Sequence, residues 1–362
     1  MRSGTVPVSA AGAGADPLNQ IFAKGRPAAF APKGRPHRGV LLRQRCPPDT
    51  TRFSLNEVKL VQVGMIGLGR MGRNMAERLV RGGHEVVGFD RNPEAVAAAA
   101  PAGVAGATSL ADLVARCQAR RVCWVMLPAG DPTEQAVETL AHVLEPGDTV
   151  VDGGNSRYTD SRRRGHRLAD RGIHFLDCGT SGGIWGLAEG YCLMVGGEAE
   201  AFRHVEPVLA TLAPEHGYLH TGPVGSGHYV KMIHNGIEYG MLEAYAEGFE
   251  LMDTHEYPLD LPAIAELWQH GSVVRSWLLE LAAGALREHP GLEGIRGYVE
   301  DSGEGRWTVE EAIRLGVPLP ALAFSLFERF RSRQEDAWSD RFIAALRQQF
   351  GGHAVRRAPE GG

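Results

Sequence analysis

Short apolar runs alternate with helical patterns along the first two thirds of this 362-residue chain. The run Leu60–Ile66 ends at Gly67, which is typical of a buried parallel strand, and a helical pattern follows over Met71–Arg81. The same alternation then continues toward the middle of the chain. It predicts strands at His84–Asp90, Arg121–Leu127, Thr149–Asp152, Ile173–Asp177 and Tyr191–Val195, and helices at Leu110–Ala119 and Thr133–Leu144. The pattern therefore predicts an α/β domain with a largely parallel sheet.

Beyond about Thr221 the strand pattern stops and helical periodicity takes over. It predicts helices at Ser226–Asp253, Leu261–Ala285, Thr308–Leu315, Ala321–Arg331 and Glu335–Phe350. The second domain is therefore predicted to be all-α, with its boundary near residues 222–227.

Residues 1–58 follow neither period and contain 7 of the 21 prolines. Such a composition buries too little apolar area to offset the entropy of ordering, so we predict a disordered leader. A dispensable leader or an overlong start is the favoured interpretation, and a transit peptide is the alternative.

The net charge of −5 hides an asymmetry between the leader and the rest of the chain. Residues 1–58 hold 9 Lys and Arg against 3 Asp and Glu, whereas the remaining 304 residues hold 29 against 40. An anionic ligand must therefore be held by a local basic cluster, and nucleic acid is not an expected partner.

Cysteine and apolar patterns give two further expectations. The five cysteines, Cys46, Cys117, Cys123, Cys178 and Cys192, form no C-x-x-C pair, which argues against disulfides and a cysteine zinc site and favours the cytoplasm. No apolar run approaches the ~20 residues of a membrane span, so no membrane association is expected.

A glycine motif follows the first predicted strand. Residues 67–72 read Gly-Leu-Gly-Arg-Met-Gly, and the spacing G-x-G-x-x-G before a helix is the Rossmann-type dinucleotide fingerprint. Asp90 ends the next predicted strand, where an acid accepts the ribose hydroxyls of NAD and repels the 2′-phosphate of NADP. Adjacent Arg91 could partly reverse that preference, so NADP stays an alternative. Leu127, Pro128 and Ala129 end a later strand and are expected at the same crevice.

The predicted helix over Ser226–Asp253 carries the strongest catalytic signal. At 100° per residue, His234, Asn235 and Glu238 fall within about 60° of Lys231, while Met232, Ile233 and Ile237 make another side apolar. A helix buried on more than one face would lower the pKa of a lysine and raise that of a glutamate. Lys231 and Glu238 are therefore predicted to act as base and acid.

Together these segments resemble the short form of the decarboxylating 6-phosphogluconate dehydrogenases, within the β-hydroxyacid dehydrogenase superfamily. The resemblance covers about residues 60–355 and is strongest over Lys231–Gly240. The other motifs that carry it are residues 67–72, Asp-Gly-Gly-Asn-Ser at 152–156, Gly-Thr-Ser-Gly-Gly at 179–183 and Leu-Met-Val-Gly-Gly at 193–197. With the composition and periodicity above, it predicts a leader at 1–58, a dinucleotide-binding domain at 59–224, a substrate and dimerisation domain at 225–355 and a tail at 356–362.

The resemblance also implies a reaction of the pentose phosphate pathway and of gluconate utilisation. 6-Phosphogluconate would be oxidised and decarboxylated to ribulose 5-phosphate and CO2 with NAD or NADP, with Lys231 as base, Glu238 as acid and no metal. The family positions implied for cofactor contact are Gly67, Leu68, Gly69, Arg70, Met71, Gly72, Asp90, Arg91, Leu127, Pro128, Ala129 and Asn155. Those implied for substrate contact are Asn155, Ser181, Gly182, Gly183, His234, Asn235 and Tyr239, with Asn235 also in the catalytic set.

The substrate phosphate needs fixed cations, preferably arginines. Arg306 and Arg329 match the family pattern within the chain, although Arg331 is an alternative to Arg329, and a lysine of the longer members is missing before Arg306. Arg347 and His353 match residues that close the neighbouring subunit's pocket in the family, which implies a homodimer or a homotetramer. The alternatives are a non-decarboxylating relative of the 3-hydroxyisobutyrate type and a non-catalytic NAD-binding protein; Glu238 argues against the first.

Overall fold

The computed structural model of the protein describes residues 60–356. The predicted leader over 1–58 and all but the first residue of the predicted tail lie outside the described residues. No helix in the described part is both long and apolar enough to cross a bilayer.

One eight-stranded sheet forms the first part of the described chain, in the order β3-β2-β1-β4-β5-β6-β7-β8. From β3 to β6 all neighbours run parallel, whereas β7 pairs antiparallel with β6 and parallel with β8. The strands are β1 Gln62–Ile66, β2 Glu85–Phe89, β3 Ala105–Gly106, β4 Val122–Val125, β5 Thr149–Asp152, β6 His174–Ser181, β7 Cys192–Gly197 and β8 Tyr218–Gly222. The largely parallel Rossmann-type sheet predicted from the sequence is thereby confirmed.

Helices cover both faces of this sheet. They are α1 Arg70–Arg81, α2 Pro93–Ala99, α3 Leu110–Arg116, α4 Asp131–Val143, α5 Tyr158–Ala169, α6 Gly186–Glu189 and α7 Ala199–Leu212. Two separate hydrophobic clusters result, one including Met75 of α1 and Leu209 of α7, the other Leu113 of α3, Leu140 of α4 and Leu168 of α5. Burial on both faces explains why the strands read as continuous apolar runs rather than alternating ones.

The order of the strands creates the ligand crevice. Strand β1 lies between β2 and β4, so the chain leaves the carboxyl ends of β1 and β4 in opposite directions. In open α/β sheets, ligands bind outside the carboxyl ends of the strands at such a switch point. Gly67, Asp90 and Leu127 all follow strands at this edge.

Helices alone follow β8 within the described residues, which confirms the predicted change to an all-α region. They are α8 Ser226–Thr254, α9 Leu261–Leu267, α10 Trp277–Glu288, α11 Glu304–Leu315, α12 Pro320–Arg331 and α13 Trp338–Gly351. Helix α8 has 29 residues, or ~43 Å at 1.5 Å per residue. Its first turns pack against β6, β7 and α11, so α8 joins the sheet to the helical region.

The single helix predicted over Leu261–Ala285 is wrong, because two helices occupy that range. Gly271 adopts a φ of +78°, which breaks the helical path, and the Ser276 hydroxyl caps α10 by accepting a 3.0 Å hydrogen bond from Leu279 N–H. Helices α9 and α10 then pack against each other around Ala265 and Leu279, with Phe249 of α8 alongside. Apolar periodicity continues through this segment, so it conceals the break.

Candidate active site

The glycine turn after β1 has the geometry of a dinucleotide cradle. Gly67 has a φ of +91°, and its N–H donates a 2.8 Å hydrogen bond to the Phe89 carbonyl. A Cβ on Gly72 would lie 1.9 Å from the Gly67 carbonyl oxygen, so α1 comes too close to the turn for any side chain there. Nothing lies within 4 Å of a Cβ built on Gly69, and no side chain caps α1. The first N–H groups of α1 therefore face open space where a pyrophosphate fits.

Asp90 fixes this turn to the end of β2. Its carboxylate accepts hydrogen bonds from Leu68 N–H at 2.7 Å and from Asn92 N–H at 2.8 Å. Asp90 and Arg91 line a cavity of about 470 Å³ together with Gly67 and Leu127. Arg91 donates a 2.9 Å hydrogen bond to Gln135, so its guanidinium is held beside the same cavity. The carboxylate keeps lone pairs for ribose hydroxyls, which fits the adenosine end of NAD.

A second and larger cavity, of about 1330 Å³, contains most of the predicted chemistry. It extends from the glycine turn to the exposed side of α8, so one space can hold a nicotinamide ring and a substrate. The predicted residues that line it are Gly69, Arg70, Met71, Gly72, Leu127, Pro128, Ala129, Asn155, Ser181, Gly182, Gly183, Lys231, His234 and Glu238. Leu68 and Asn235 are buried directly beside these residues rather than in the cavity wall.

Lys231 is buried in this cavity wall, with 6% of its surface exposed. A Cβ on Gly179 of β6 would lie 2.4 Å from the Lys231 Cβ, so the glycine in the sheet makes room for the lysine. Burial lowers the pKa of Lys231, and the negative charges of Glu304 and Glu238 partly oppose that effect. A buried amine with a lowered pKa is suited to accept a proton, as the sequence predicted.

The remaining polar groups of α8 divide between two environments. The His234 Nδ1–H donates a 2.9 Å hydrogen bond to the Asn235 Oδ1, which orients both side chains. Glu238 is half-buried and lines the cavity, so the expectation that the glutamate is buried like Lys231 is wrong. Ile237 is 51% exposed and also faces the cavity, instead of forming a second buried side. The buried side of the helix contains Met232, whose carbonyl accepts a 2.9 Å hydrogen bond from Thr308 of α11.

Two loops next to Lys231 depend on glycines for their shape. In the loop 152–156, a Cβ on Gly154 would lie 2.5 Å from the Leu127 carbonyl oxygen, so this loop touches the one after β4. Asn155 is exposed at its tip and lines the large cavity. After β6, Gly182 and Gly183 have φ values of +123° and +52°, which lead the backbone around the cavity edge.

The predicted phosphate arginines form a separate cluster where α11 and α12 meet. Asp301 accepts hydrogen bonds from Arg306 at 2.7 and 2.9 Å and from Arg333 at 2.8 Å. These guanidinium groups, Arg306 foremost, hold the pKa of Asp301 well below its usual range. The Arg329 guanidinium lies 3.3 Å from the ring centre of Tyr239. The residues of this cluster line neither of the two cavities.

Arg347 and His353 lie at the end of the described chain. Arg347 is exposed on α13, and His353 follows that helix directly after Gly352, which has a φ of +64°. The structure therefore does not bring these two residues into the cavity that contains Lys231.

The sequence patterns do not identify several residues of the site. Asp177 of β6 accepts hydrogen bonds from the first turn of α8, and Glu304 is a buried acid beside Lys231. Trp277, Leu278 and Leu281 of α10 and Ile184 and Trp185 after β6 complete the apolar wall of the cavity, and Ser276, the cap of α10, also lines it. Asp177 and Glu304 contact residues that are far from them in the sequence, so no local pattern reveals them. The α10 residues lie in the segment for which the sequence predicts one continuous helix. No group of three or more His, Cys, Asp or Glu side chains in the described part could hold a metal ion.

Comparisons with known proteins agree with this geometry. Residues 62–222 match the family model described as the NAD binding domain of 6-phosphogluconate dehydrogenase, and residues 227–341 match the model of its C-terminal domain. The NAD(+)-dependent, decarboxylating 6-phosphogluconate dehydrogenase of Haloferax volcanii is 47% identical over 300 residues, which are 82% of this chain and 99% of that protein.

Two more relatives are longer than this chain. The decarboxylating 6-phosphogluconate dehydrogenase of Synechococcus elongatus is 36% identical, over 75% of this chain and 62% of its own length. Among solved structures, Plasmodium falciparum 6-phosphogluconate dehydrogenase superposes with a TM-score of 0.70 at 26% identity, covering 83% of this chain and 67% of that one.

Proposed function

Because the chain belongs to the 6-phosphogluconate dehydrogenase family, we propose that it oxidises and decarboxylates 6-phosphogluconate to ribulose 5-phosphate and CO2 with NAD. The observation that supports this best is the position of Lys231. Its buried amine lines one cavity together with the glycine turn and Glu238, so a base, an acid and a dinucleotide cradle share one space.

Lys231 acts as the base in the first step. Its lowered pKa increases the fraction of neutral amine, which takes the proton of the substrate C3 hydroxyl. When bound, NAD accepts the hydride that leaves C3. The product of this step is a 3-keto acid, and Lys231 becomes an ammonium beside its new carbonyl.

The ammonium then assists the loss of CO2. The bond between C1 and C2 breaks, and its electron pair moves toward the C3 carbonyl oxygen, where Lys231 stabilises the developing negative charge. The positive charge of Lys231 stabilises the developing oxyanion, as a metal ion does in other enzymes. Glu238 lines the same cavity and protonates the former C2 carbon, which gives ribulose 5-phosphate.

The substrate is held along the exposed side of α8 and the loops beside it. We assign its sugar and carboxylate contacts to Asn155, to residues 181–183 and to the hydrogen-bonded pair His234 and Asn235. Tyr239 and Arg329 are assigned to the phosphate. Arg329 is preferred to Arg331 because Arg331 forms an ion pair with Asp340, whereas Arg329 stacks on Tyr239. Arg306 belongs to the same cluster, where it forms an ion pair with Asp301.

We assign NAD rather than NADP as the preferred cofactor on the basis of Asp90. Its carboxylate faces the smaller cavity at the end of β2, where a 2′-phosphate would meet a negative charge. Arg91 lines the same cavity, and its positive charge would attract a 2′-phosphate. The preference for NAD over NADP therefore depends on the balance between the charges of Asp90 and Arg91.

The active form is proposed to be a homodimer, or a homotetramer built from such dimers, in the cytoplasm. Helix α13 supports this proposal because Trp338, Phe342 and Ile343 are 67%, 48% and 55% exposed on it. Contiguous exposed apolar side chains of this kind mark an interaction surface. A second copy that covers α13 brings Arg347 and His353 to the partner's phosphate end.

The decisive experiment follows two products at once. Purified protein is incubated with 6-phosphogluconate and NAD, or NADP, while reduced cofactor and released CO2 are measured together. Equal amounts of both products support the proposal. Reduced cofactor without CO2 would favour a non-decarboxylating dehydrogenase of the 3-hydroxyisobutyrate type, and bound NAD with neither product would favour a non-catalytic binding protein. The Lys231→Met variant is the control, and it should lose turnover while it retains NAD binding.

A further inference from the structure

Arg164 of α5 is a buried arginine beneath the loop that carries Asn155. Its side chain has no exposed surface, and its Nη1 donates hydrogen bonds of 3.0 Å to both Asp152 and Ser156. Asp152 begins the loop and Ser156 ends it. One nitrogen atom therefore binds the two ends of a five-residue loop and leaves its tip to the cavity.

The interior of the loop is held just as closely. Asp152 also accepts a 3.3 Å hydrogen bond from Gly154 N–H through its other oxygen. A Cβ on Gly153 would lie 2.2 Å from the Trp124 Nε1, so the loop is pressed against β4. Asn155 is exposed in the same loop, and its neighbours Gly154 and Ser156 are buried. The position of Asn155 is thus set by groups beneath it rather than by contacts of its own.

Glu134 anchors Arg164 from the opposite side. Its carboxylate accepts a 2.9 Å hydrogen bond from the Arg164 Nε and further bonds from Arg163 and Arg167. Partial burial raises the pKa of Glu134, but hydrogen bonds from Arg164, Arg163 and Arg167 lower it to about 2. The carboxylate is therefore charged throughout the physiological range, and it fixes the guanidinium on α4.

The same turn of α4 also holds the loop that follows β4 and carries Leu127 and Pro128. Thr133, which precedes Glu134, is fully buried and donates a 2.8 Å hydrogen bond to the Pro128 carbonyl. Gly154 in turn lies against the Leu127 carbonyl. The first turn of α4 and Arg164 consequently form one support under both loops that face the glycine turn.

We propose that Arg164 is a positioning residue of the active site, which holds Asn155 at the catalytic cavity by binding both ends of the loop 152–156. The inference rests on the proposed function, because it takes Asn155 as a contact of nicotinamide and substrate. All the hydrogen bonds that the structure gives the guanidinium within the described residues go to Glu134, Asp152 and Ser156; its Nη2 is buried without a partner. Arg164 itself lines neither cavity.

The test compares two substitutions of neighbouring arginines on α5. Arg164→Lys keeps the charge but has a single nitrogen, which cannot bind Glu134 and both loop ends at once as the Nε and Nη1 of the arginine do. Arg163→Lys is the matched control, because exposed Arg163 shares Glu134 and contacts Asp160 instead of the loop. We expect Arg164→Lys to lower kcat about 100-fold, as small displacements of a contacting group can, with KM within about threefold of wild type. Arg163→Lys should leave both constants unchanged.

A second readout does not depend on turnover. Amide hydrogen exchange of residues 152–156 should become faster in Arg164→Lys and stay unchanged in Arg163→Lys. Ser156→Ala removes one of the two loop contacts without leaving a buried charge, so it serves if Arg164→Lys fails to fold. It should also accelerate exchange in the loop and lower kcat about tenfold.

Two results would overturn the proposal. The first is that Arg164→Lys and Ser156→Ala both keep the wild-type rate of amide hydrogen exchange in residues 152–156 and a kcat within twofold of wild type. The second is that Arg164→Lys and Arg163→Lys lose kcat equally. An inactive wild-type protein would instead refute the proposed function, while the exchange measurement would still report whether Arg164 holds the loop.

Discussion

The carboxylate of Asp177 accepts a 2.8 Å hydrogen bond from the backbone N–H of His228, three residues before Lys231. Its other oxygen accepts a 2.6 Å bond from Gly225 N–H. Asp177 is fully buried on β6 and therefore supplies, from the sheet, the acceptors that the first turn of α8 lacks. The position of Lys231 relative to the sheet depends on this contact.

We expect Asp177→Ala to lower the free energy of unfolding by about 2 kcal/mol, because two buried N–H groups lose their acceptor. Asp177→Asn keeps one acceptor oxygen and should lose about half as much. Both variants should also lower kcat more than they raise KM, since Lys231 is displaced. Urea unfolding and steady-state kinetics check this prediction. Wild-type stability in Asp177→Ala would show that the contact does not hold the helix.

Much of this arrangement is readable from the sequence because it is local. The strand, Gly67–Gly72 and α1 are continuous in the chain, and Lys231 and Glu238 share one helix with a fixed period. The sequence predicted their order and their faces for this reason. The burial of the helix is less predictable, because Ile237 is exposed and lines the cavity opposite residues of α10, which lie far from it in the sequence.

The supports of the site could not be predicted in the same way. Asp177 and His228 are 51 residues apart, and Thr308 reaches Met232 across 76. Such contacts depend on how the sheet and helices pack, and no period in the chain encodes them. The sequence could not decide between Arg329 and Arg331 as the phosphate ligand for the same reason. The decision depends on the contacts of Arg329 with Tyr239 and of Arg331 with Asp340 in the folded protein.

The acid beside Lys231 predicts a shift in the pH profile. Glu304 is 2% exposed, and the Thr308 hydroxyl donates to the carbonyls of both Glu304 and Met232, which places Glu304 next to the base. Its negative charge raises the pKa of Lys231 against the lowering effect of burial. Glu304→Gln removes that charge, so the pKa of Lys231 falls further and neutral amine persists to lower pH.

The acid limb of kcat/KM should consequently move to lower pH in Glu304→Gln. Glu310→Gln is the control, because Glu310 lies on the same helix but is exposed and pairs with Arg157. Its profile should match that of wild type. A limb that stays in place or moves to higher pH in Glu304→Gln would contradict the assignment of Lys231 as the base.

The cofactor preference can be tested with two neighbouring charges of opposite sign. Asp90→Asn removes the charge but keeps the side-chain shape and one acceptor for the glycine turn, so it perturbs the turn less than Asp90→Ala. We expect the ratio of kcat/KM with NAD to that with NADP to fall about tenfold. Arg91→Gln should raise the same ratio. The role of Asp90 is refuted if the ratio is unchanged in both Asp90→Asn and Asp90→Ala.

The proposed exchange of residues between subunits predicts recovery of activity from two inactive proteins. Lys231→Met lacks the base, and Arg347→Ala lacks a phosphate contact that we assign to the partner's site. In a mixed dimer, the site with an intact Lys231 faces a partner with an intact Arg347, so one of its two sites is complete. After random exchange of subunits, an equimolar mixture should regain about one quarter of wild-type activity. If Arg347 served its own subunit, every site in the mixture would lack one residue and no activity would return. Gel filtration of each variant must show a dimer or a larger oligomer before mixing, since a monomer would exclude the shared pocket.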